Sequence, residues 1–187
     1  ELPVLPPLLQ FLDLTEAPMR IGVLPTLPAT LKHLACKDCN LGRLPDELPP
    51  LLVHLDCSSN RIAALSGAQL PPNLEHLDCA SNRLRRLPDL PPNLTHLDCS
   101  RNILRRLPVL PRTLQHLKCM VQEGGMEELP ALHDMSALEH LDCCYNGLTS
   151  LPDLPESLRT LRCGGNAFTY EEAEIMICGS NARLVRE

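Results

Sequence analysis

Aromatic side chains are almost absent from this chain. Its 187 residues include two Phe, two Tyr and no Trp. A compact interior normally draws much of its volume from aromatics, so this one must be built from Leu and Cys. No run of 18 apolar residues occurs, and no membrane-spanning helix is expected. The chain opens Glu1-Leu2-Pro3 without a basic segment, so no signal peptide is expected. Positive charge is also in deficit. A net charge of −6 and a pI of about 5.6 speak against non-specific nucleic-acid binding. Apolar residues make up 44% and charged residues 21%, a globular balance that excludes intrinsic disorder. What is abundant is Pro, with 19 copies, and Cys, with 10. That much Pro excludes a helix bundle and a sandwich of central strands.

The chain is a repeat. The unit reads L-x-H-L-x-C-x-x-N-x-L-x-x-L-P-x-L-P-x-x, clearest from Leu74 and Leu94, with further copies from Leu31, Leu52, Leu114, Leu138 and Leu158 and a degenerate one from Leu9. Successive spacings are 22, 21, 22, 20, 20, 24 and 20 residues. This is the leucine-rich-repeat pattern with Cys in the third Leu slot. Each unit predicts a short strand, a turn closed by Asn and a return segment, stacked into a solenoid with a parallel sheet on the concave side. Twenty residues leave no room for a return helix. The L-P-x-L-P segments predict extended, polyproline-like backbone on the convex side. The fold expectation is therefore an α/β-class repeat, mostly β and extended coil. It has a solenoid at 1–168 that looks cut inside a repeat at its start, then a C-terminal capping helix at about 170–178 and linker within 169–187. Thr169-Tyr170-Glu171-Glu172 supplies the helix's capping box. An uncapped first repeat leaves self-association possible.

Strand parity decides which residues are available for chemistry. Six His occupy the third repeat position: His33, His54, His76, His96, His116 and His140. Seven Cys occupy the sixth: Cys36, Cys57, Cys79, Cys99, Cys119, Cys143 and Cys163. Side chains alternate across a strand, so Leu at position four and Cys at position six point inward. Positions three, five and seven are expected to face outward. A His and a Cys three residues apart thus fall on opposite faces, which removes the zinc half-site and the Cys–His dyad. The Cys ladder reads as reduced core packing in a reducing intracellular compartment. Cys39 replaces the turn Asn of its unit. Cys144 and Cys178 are the candidates for a reactive thiol. The Asn row, Asn60, Asn82, Asn102, Asn146 and Asn166, is expected to satisfy turn backbone.

The outward rows supply the candidate site. Asp56, Asp78, Asp98 and Asp142 hold position five, broken by Lys118 and Arg162. His76, Asp78, His96 and Asp98 form a two-by-two patch. It reads as a partner-contact surface, a pH-sensitive surface or, less simply, a metal site. On an open sheet the aspartates are expected to keep ordinary pKa values. The candidate partner-binding set is His54, Asp56, His76, Asp78, His96, Asp98, His116, Lys118, Met120 and Tyr145. Met120 comes from the 24-residue unit, where the S-x-N segment changes after Cys119, and Tyr145 from the unit that follows; Met120, Val121 and Tyr145 form an apolar patch. Seven arginines between Arg83 and Arg112 lie off that face, and a solvated edge or an acidic partner strip are the two readings. No catalytic residues, no cofactor and no metal are assigned.

The unit Leu87-Pro88-Asp89-Leu90-Pro91-Pro92-Asn93-Leu94 resembles the bacterial subclass of leucine-rich repeats, including secreted effectors of the YopM and IpaH type. The resemblance spans roughly residues 2–168. It implies a domain that selects a host or substrate protein, delivered into host cytoplasm, in a virulence setting. IpaH-like members add a separate ubiquitin ligase domain with a Cys-x-Asp motif. The one such triplet here, Cys36-Lys37-Asp38, lies in a repeat with Cys36 inward, so ligase chemistry is not carried onto it. The expected function is protein recognition on the concave face. The alternatives are a targeting or autoinhibitory repeat of a larger ubiquitin ligase and a His/Asp metal-binding surface.

Overall fold

The computed structural model describes residues 4–15, 22–65, 69–169 and 183–184. Among them no helix occurs. Nine short strands form one parallel sheet in sequence order: β1 Phe11–Asp13, β2 His33–Ala35, β3 His54–Asp56, β4 His76–Asp78, β5 His96–Asp98, β6 His116–Lys118, β7 His140–Asp142, β8 Thr160–Arg162 and β9 Arg183–Leu184. The first eight are positions three to five of the eight repeats, the degenerate unit from Leu9 included. Equal internal spacing sets the register, so His54 lies beside His76, Leu55 beside Leu77 and Asp56 beside Asp78. This is a leucine-rich-repeat solenoid. The capping helix expected at about 170–178 lies outside the described residues. Within the stretch assigned to the linker, Arg183–Leu184 pair with β8.

Each strand continues as a hydrogen-bonded ladder into its turn. The Cys79 N–H donates to the Asp98 carbonyl at 2.9 Å and the Ser81 N–H to the Ser100 carbonyl at 2.8 Å, and the same pair of bonds recurs along the stack. Prolines organise the way back. The carbonyls of Pro28, Pro49, Pro71, Pro91, Pro111 and Pro155 each accept from the Leu N–H three residues on, the residue that opens the next unit. A proline cannot donate, but as a turn acceptor it loses nothing.

Leu fills positions one and four throughout, and Cys fills position six in every unit after the first, which has Leu14 there; these columns are buried apart from the partly covered Leu9 and Leu12. Cys36, Cys57, Cys79, Cys99, Cys119 and Cys143 are fully buried thiols without disulfides, and Cys163 is nearly so. Three of them donate to the carbonyl of the following strand: Cys36 to Asp56 at 3.3 Å, Cys99 to Lys118 at 3.4 Å and Cys143 to Arg162 at 3.5 Å. A thiol is small enough to let the parallel strands and their turns close up, and it is compatible with the apolar interior.

The 24-residue unit keeps this plan by two separate adjustments. Gly124 and Gly125, at φ 88° and 78°, insert before Met126, which takes the buried slot held by Leu84 and Leu104. Left-handed backbone of this kind suits glycine. Two further residues form a double turn, in which Leu132 accepts from Met135 and Met135 from Leu138. Met135, buried, stands where the other units place Pro.

Candidate protein-recognition surface

The sheet's solvent side carries one continuous column of rings. Phe11, His33, His54, His76, His96, His116 and His140 stack in order across seven strands. Centroids are 4.2 to 4.4 Å apart except between His54 and His76, which are 5.5 Å apart and tilted by 36°. The column ends at Thr160. Parallel in-register strands impose a spacing of about 4.8 Å, and flat rings close the remaining gap by tilting into face contact. Phe11 was absent from the candidate residues, yet counting two from Leu9 places it in the histidine row.

At three of the rings burial within the stack opposes protonation. Burial holds His54 and His116 below the ordinary imidazole range, and the neighbouring imidazoles act in the same direction. For His96, burial, then His76 and His116, bring the pKa down to about 4. The His96 Nδ1 lies 2.9 Å from the Thr95 hydroxyl, which itself donates to the Glu75 carbonyl at 3.0 Å. With that proton committed, Nδ1–H of His96 is the donor and Nε2 is left as acceptor. The two-by-two patch at His76, Asp78, His96 and Asp98 is therefore a stacked ring row, in which His96 is held neutral, beside a row of aspartates. Rings stacked face to face aim their nitrogen lone pairs side by side rather than at one point. Among the described residues no group of three or more His, Cys, Asp or Glu is arranged to hold a metal ion.

The aspartates have structural duties that the sequence reading did not assign. Asp13, Asp56, Asp78, Asp98 and Asp142 each accept, through Oδ1, from the N–H two residues on, at 2.8 to 3.2 Å. Each closes the end of its strand as an Asx turn does. Asp78 does not keep an ordinary pKa. Burial, reinforced by Asp98 and Asp56 and opposed by the Ala80 N–H and Lys118, pushes it up to about 6. Lys118 interrupts the acidic row and sits 3.8 Å from Asp98.

Position seven does not simply face outward. Ser58 and Ser100 are buried, and the Ser100 hydroxyl is the one buried side-chain oxygen or nitrogen among the described residues without a partner. Cys144, at the same position, is only partly covered, but burial and the Asp142 carboxylate push its thiol up to about 11, away from reactivity. Cys178 lies outside the described residues.

At the candidate apolar patch, Met120 and Val121 are half-buried and Tyr145 is 63% exposed. Val121 and Tyr145 take position eight of their units, at φ 55° and 54°. Other units place Ser59, Ser81 or Arg101 in the same conformation, and Gly165 follows. Left-handed backbone is uncommon for any residue with a side chain and a true outlier for a β-branched one. The Tyr145 ring lies against Gly165: a β-carbon there would come within 2.4 Å of the ring. The sequence therefore brings Met120, Val121 and Tyr145 onto adjacent turns, beside Lys118 at the end of β6.

Beneath this surface the Asn row links each repeat to the one before. The Asn102 amide donates to the Cys79 and Cys99 carbonyls at 3.0 Å, and its oxygen accepts from the Leu84 N–H at 3.0 Å. In the 24-residue unit Gln122 does this work. It donates to Cys99 and Cys119 and accepts from Leu104. The segment that read as a break in the pattern thus conserves its internal half.

The basic edge is partly neutralised. Arg105 meets Glu127 at 3.9 Å, Arg106 meets Glu128 at 3.4 Å and Arg112 meets Asp134 at 2.6 Å, all exposed.

The Leucine Rich Repeat family model matches residues 73–94. No curated protein matches the chain by sequence. Among solved structures, YopM of Yersinia enterocolitica is 34% identical with a TM-score of 0.55, over 76% of this chain and 39% of that one. A YopM from Yersinia pestis is 33% identical with a TM-score of 0.65, over 78% and 46%. A Shigella effector leucine-rich-repeat domain is 29% identical with a TM-score of 0.63, over 81% and 78%. The chain spans less than half the length of either YopM chain. It is a leucine-rich-repeat domain similar to those of bacterial effectors, and no helix among its described residues is long and apolar enough to cross a membrane.

Proposed function

We propose that this chain is a protein-recognition module that takes a partner protein on its concave sheet face, as the target-binding domain of a bacterial effector. The observation that carries the reading is the unbroken ring column from Phe11 to His140, flanked by the Asp56–Asp98 row and ending near the Met120, Val121 and Tyr145 turns. A stacked row of imidazole edges beside aspartates offers donors and acceptors at regular spacing. Preorganised polar groups with an aromatic anchor are what protein interfaces reward. The contributing residues would be His54, His76, His96 and His116, the second carboxylate oxygens of Asp56, Asp78 and Asp98, Lys118, which already faces Asp98, and Met120 with Tyr145 as the anchor.

Seven reduced, stacked thiols suit a reducing compartment, so we place the working protein in host cytoplasm after secretion, in virulence. The likeness to effector repeat domains supports a second reading, in which this domain selects substrates for a larger ubiquitin ligase.

The test is capture of partners from host-cell lysate by the chain and by a His76→Ala, His96→Ala, Tyr145→Ala variant with an unchanged melting curve. Aspartate substitutions are avoided because they remove strand-end hydrogen bonds. A partner retained by the first and lost by the second supports the concave-face reading. Equal capture by both would overturn it. Ubiquitin transfer to the captured partner by the longer protein would decide the second reading.

A further inference from the structure

The turn edge that leads from each strand to its return segment carries arginines that the fold does not require. Positions twelve and thirteen of the repeat hold Arg85-Arg86 in one unit and Arg105-Arg106 in the next, but Ala63-Ala64 and Thr149-Ser150 in others that fold identically. Arg83 and Arg61 precede them at position ten of adjacent units, and Arg101 lies on the turn between. Arg61, Arg83, Arg85, Arg86 and Arg101 are exposed, and none of the five makes an ion pair with a described residue.

The molecule displays what complements such a pair. Gly124 and Gly125 shift the next unit so that Glu127 and Glu128 fall opposite Arg105 and Arg106, at 3.9 and 3.4 Å. Two adjacent carboxylates one repeat away match two adjacent guanidinium groups. Towards the start of the solenoid that complement is missing, since Arg85 and Arg86 look out from the same two positions onto Ala63 and Ala64. A like-charged array costs some self-repulsion, and an acidic occupant relieves it.

We propose that the Arg83–Arg86 edge, with Arg61 and Arg101, is a second docking site, for an extended acidic segment of a partner protein carrying paired Glu or Asp residues. It would seat on Arg85 and Arg86 as Glu127 and Glu128 seat on Arg105 and Arg106. An acidic peptide fits better than RNA. The edge offers no aromatic ring on which a base could stack, and the whole chain is negative. Exposed pairs are individually weak, so the site depends on several acting together and on low salt. It is separate from the sheet face and stands or falls independently of it.

The test uses a fluorescent peptide of repeated Glu-Glu-Gly-Ser, its Gln-for-Glu counterpart and a single-stranded oligouridylate, with anisotropy read at low and high salt on the full chain. The acidic peptide is expected to bind and to release as salt rises, and the Gln peptide not to bind. Arg85→Gln with Arg86→Gln is expected to weaken binding about tenfold. Glu127→Gln with Glu128→Gln frees Arg105 and Arg106, and is expected to tighten binding about threefold or more. His76→Ala with His96→Ala is expected to leave it unchanged. Any one of four results overturns the proposal: no preference for Glu over Gln, tighter binding of the RNA, indifference to Arg85 and Arg86, or loss of binding in the histidine variant. Concentration-dependent self-association abolished by the Arg85, Arg86 variant would also overturn it, by making a second copy the occupant.

Discussion

The repeats from Leu74 and Leu94 follow the pattern almost letter for letter, whereas the unit from Leu114 keeps His116 but departs from it at outward positions five, seven and eight. Comparing the two separates what the fold demands from what it tolerates. Lys118 replaces Asp, Met120 replaces a small residue, Val121 replaces Ser or Arg, and two glycines enter the turn. Yet Leu114, Leu117 and Cys119 stay fully buried or nearly so, Met126 refills the turn's Leu slot, and Gln122 reproduces the Asn bonds. The fold fixes the inner half of each unit and the amide that ties it to its neighbour. The outer half is free to vary, which is where recognition can be written.

The amide row gives the sharpest way to break this comparison. Asn102 is buried and bridges two repeats, so Asn102→Ala orphans the Leu84 N–H and removes one of two amide donors from each of the Cys79 and Cys99 carbonyls, which keep Asn82 and Gln122. A buried orphan costs about 1–3 kcal/mol, and with the two weakened carbonyls a loss of about 2–3 kcal/mol is expected in urea unfolding. Gln122→Ala is expected to cost less, about 1–2 kcal/mol, because Gln122 lacks the bond that Asn102 also makes to the Ser100 carbonyl and its bond to Cys119 is long, at 3.3 Å. If Gln122→Ala proves as mild as a surface change, the Gln is a by-product of repeat decay and not a working member of the row.

Much of this was legible without coordinates, for a physical reason. In a solenoid the register is the repeat, so counting from each opening Leu assigns strand, face and neighbour together. That count put His and Cys on opposite faces and the Asn row in the turns. The same count would have found Phe11 at position three and Gln122 at position nine, had the degenerate units been read by position instead of by match. Other features were hidden. The Asp side chains read as free ligands because a bond to the N–H two residues on depends on how the strand ends. Burial at Asp78, His96 and Cys144 depends on neighbouring strands. The Glu127 and Glu128 pairings needed the two-glycine shift to be placed to the residue.

The acidic row offers a second comparison, between Asp78 in an all-Asp neighbourhood and Asp98 beside Lys118. Asp78 titrates near 6 in the folded chain, above its unfolded value of 3.8. Its ionised form is therefore unfavourable in the fold: the penalty is full above pH 6 and gone below about 3.8. Asp78→Asn keeps an acceptor for the Ala80 N–H. It is expected to stabilise the fold at pH 7.5 by an amount on the order of 1 kcal/mol after solvent screening, read as a raised melting temperature, and to give no gain at pH 4. Lys118→Asp, which restores the repeat pattern, is expected to destabilise at pH 7.5 and to enlarge the benefit of Asp78→Asn. A gain from Asp78→Asn that persists at pH 4 would point to packing instead of charge.

Histidine runs the other way. His96 titrates near 4 in the stack and about 6.5 when unfolded. The unfolded chain takes up that proton first, so stability falls as pH drops from about 6.5 towards 4. His54 and His116, held low for the same reasons, add to the slope. Replacing His96 with Phe, which keeps the stack and cannot titrate, is expected to flatten the stability profile across that window. It should leave stability at pH 7.5 within about 1 kcal/mol of the parent. An unchanged slope would mean that the column accommodates charge, and the view of His96 as a neutral edge of the recognition face would need revision.

The smallest effect addresses the turn that distinguishes the two regions most. Val121 holds φ 55° where the regular units have Ser81 and Arg101 at φ 54°. A left-handed conformation costs an L-residue about 1–2 kcal/mol, and a β-branched one is among the worst placed to adopt it. Val121→Gly relieves that strain and gives back part of the gain as unfolded-state entropy. A net stabilisation of about 0.5–1 kcal/mol is expected, against less for Ser81→Gly, where no branched side chain is relieved. The same substitution removes half-buried apolar surface beside Met120 and Tyr145, so it is expected to weaken capture of a sheet-face partner. Stability gained and binding lost together would identify Val121 as a residue kept for contact at the expense of the fold. Stability lost would show instead that its methyl groups are part of the packing between turns.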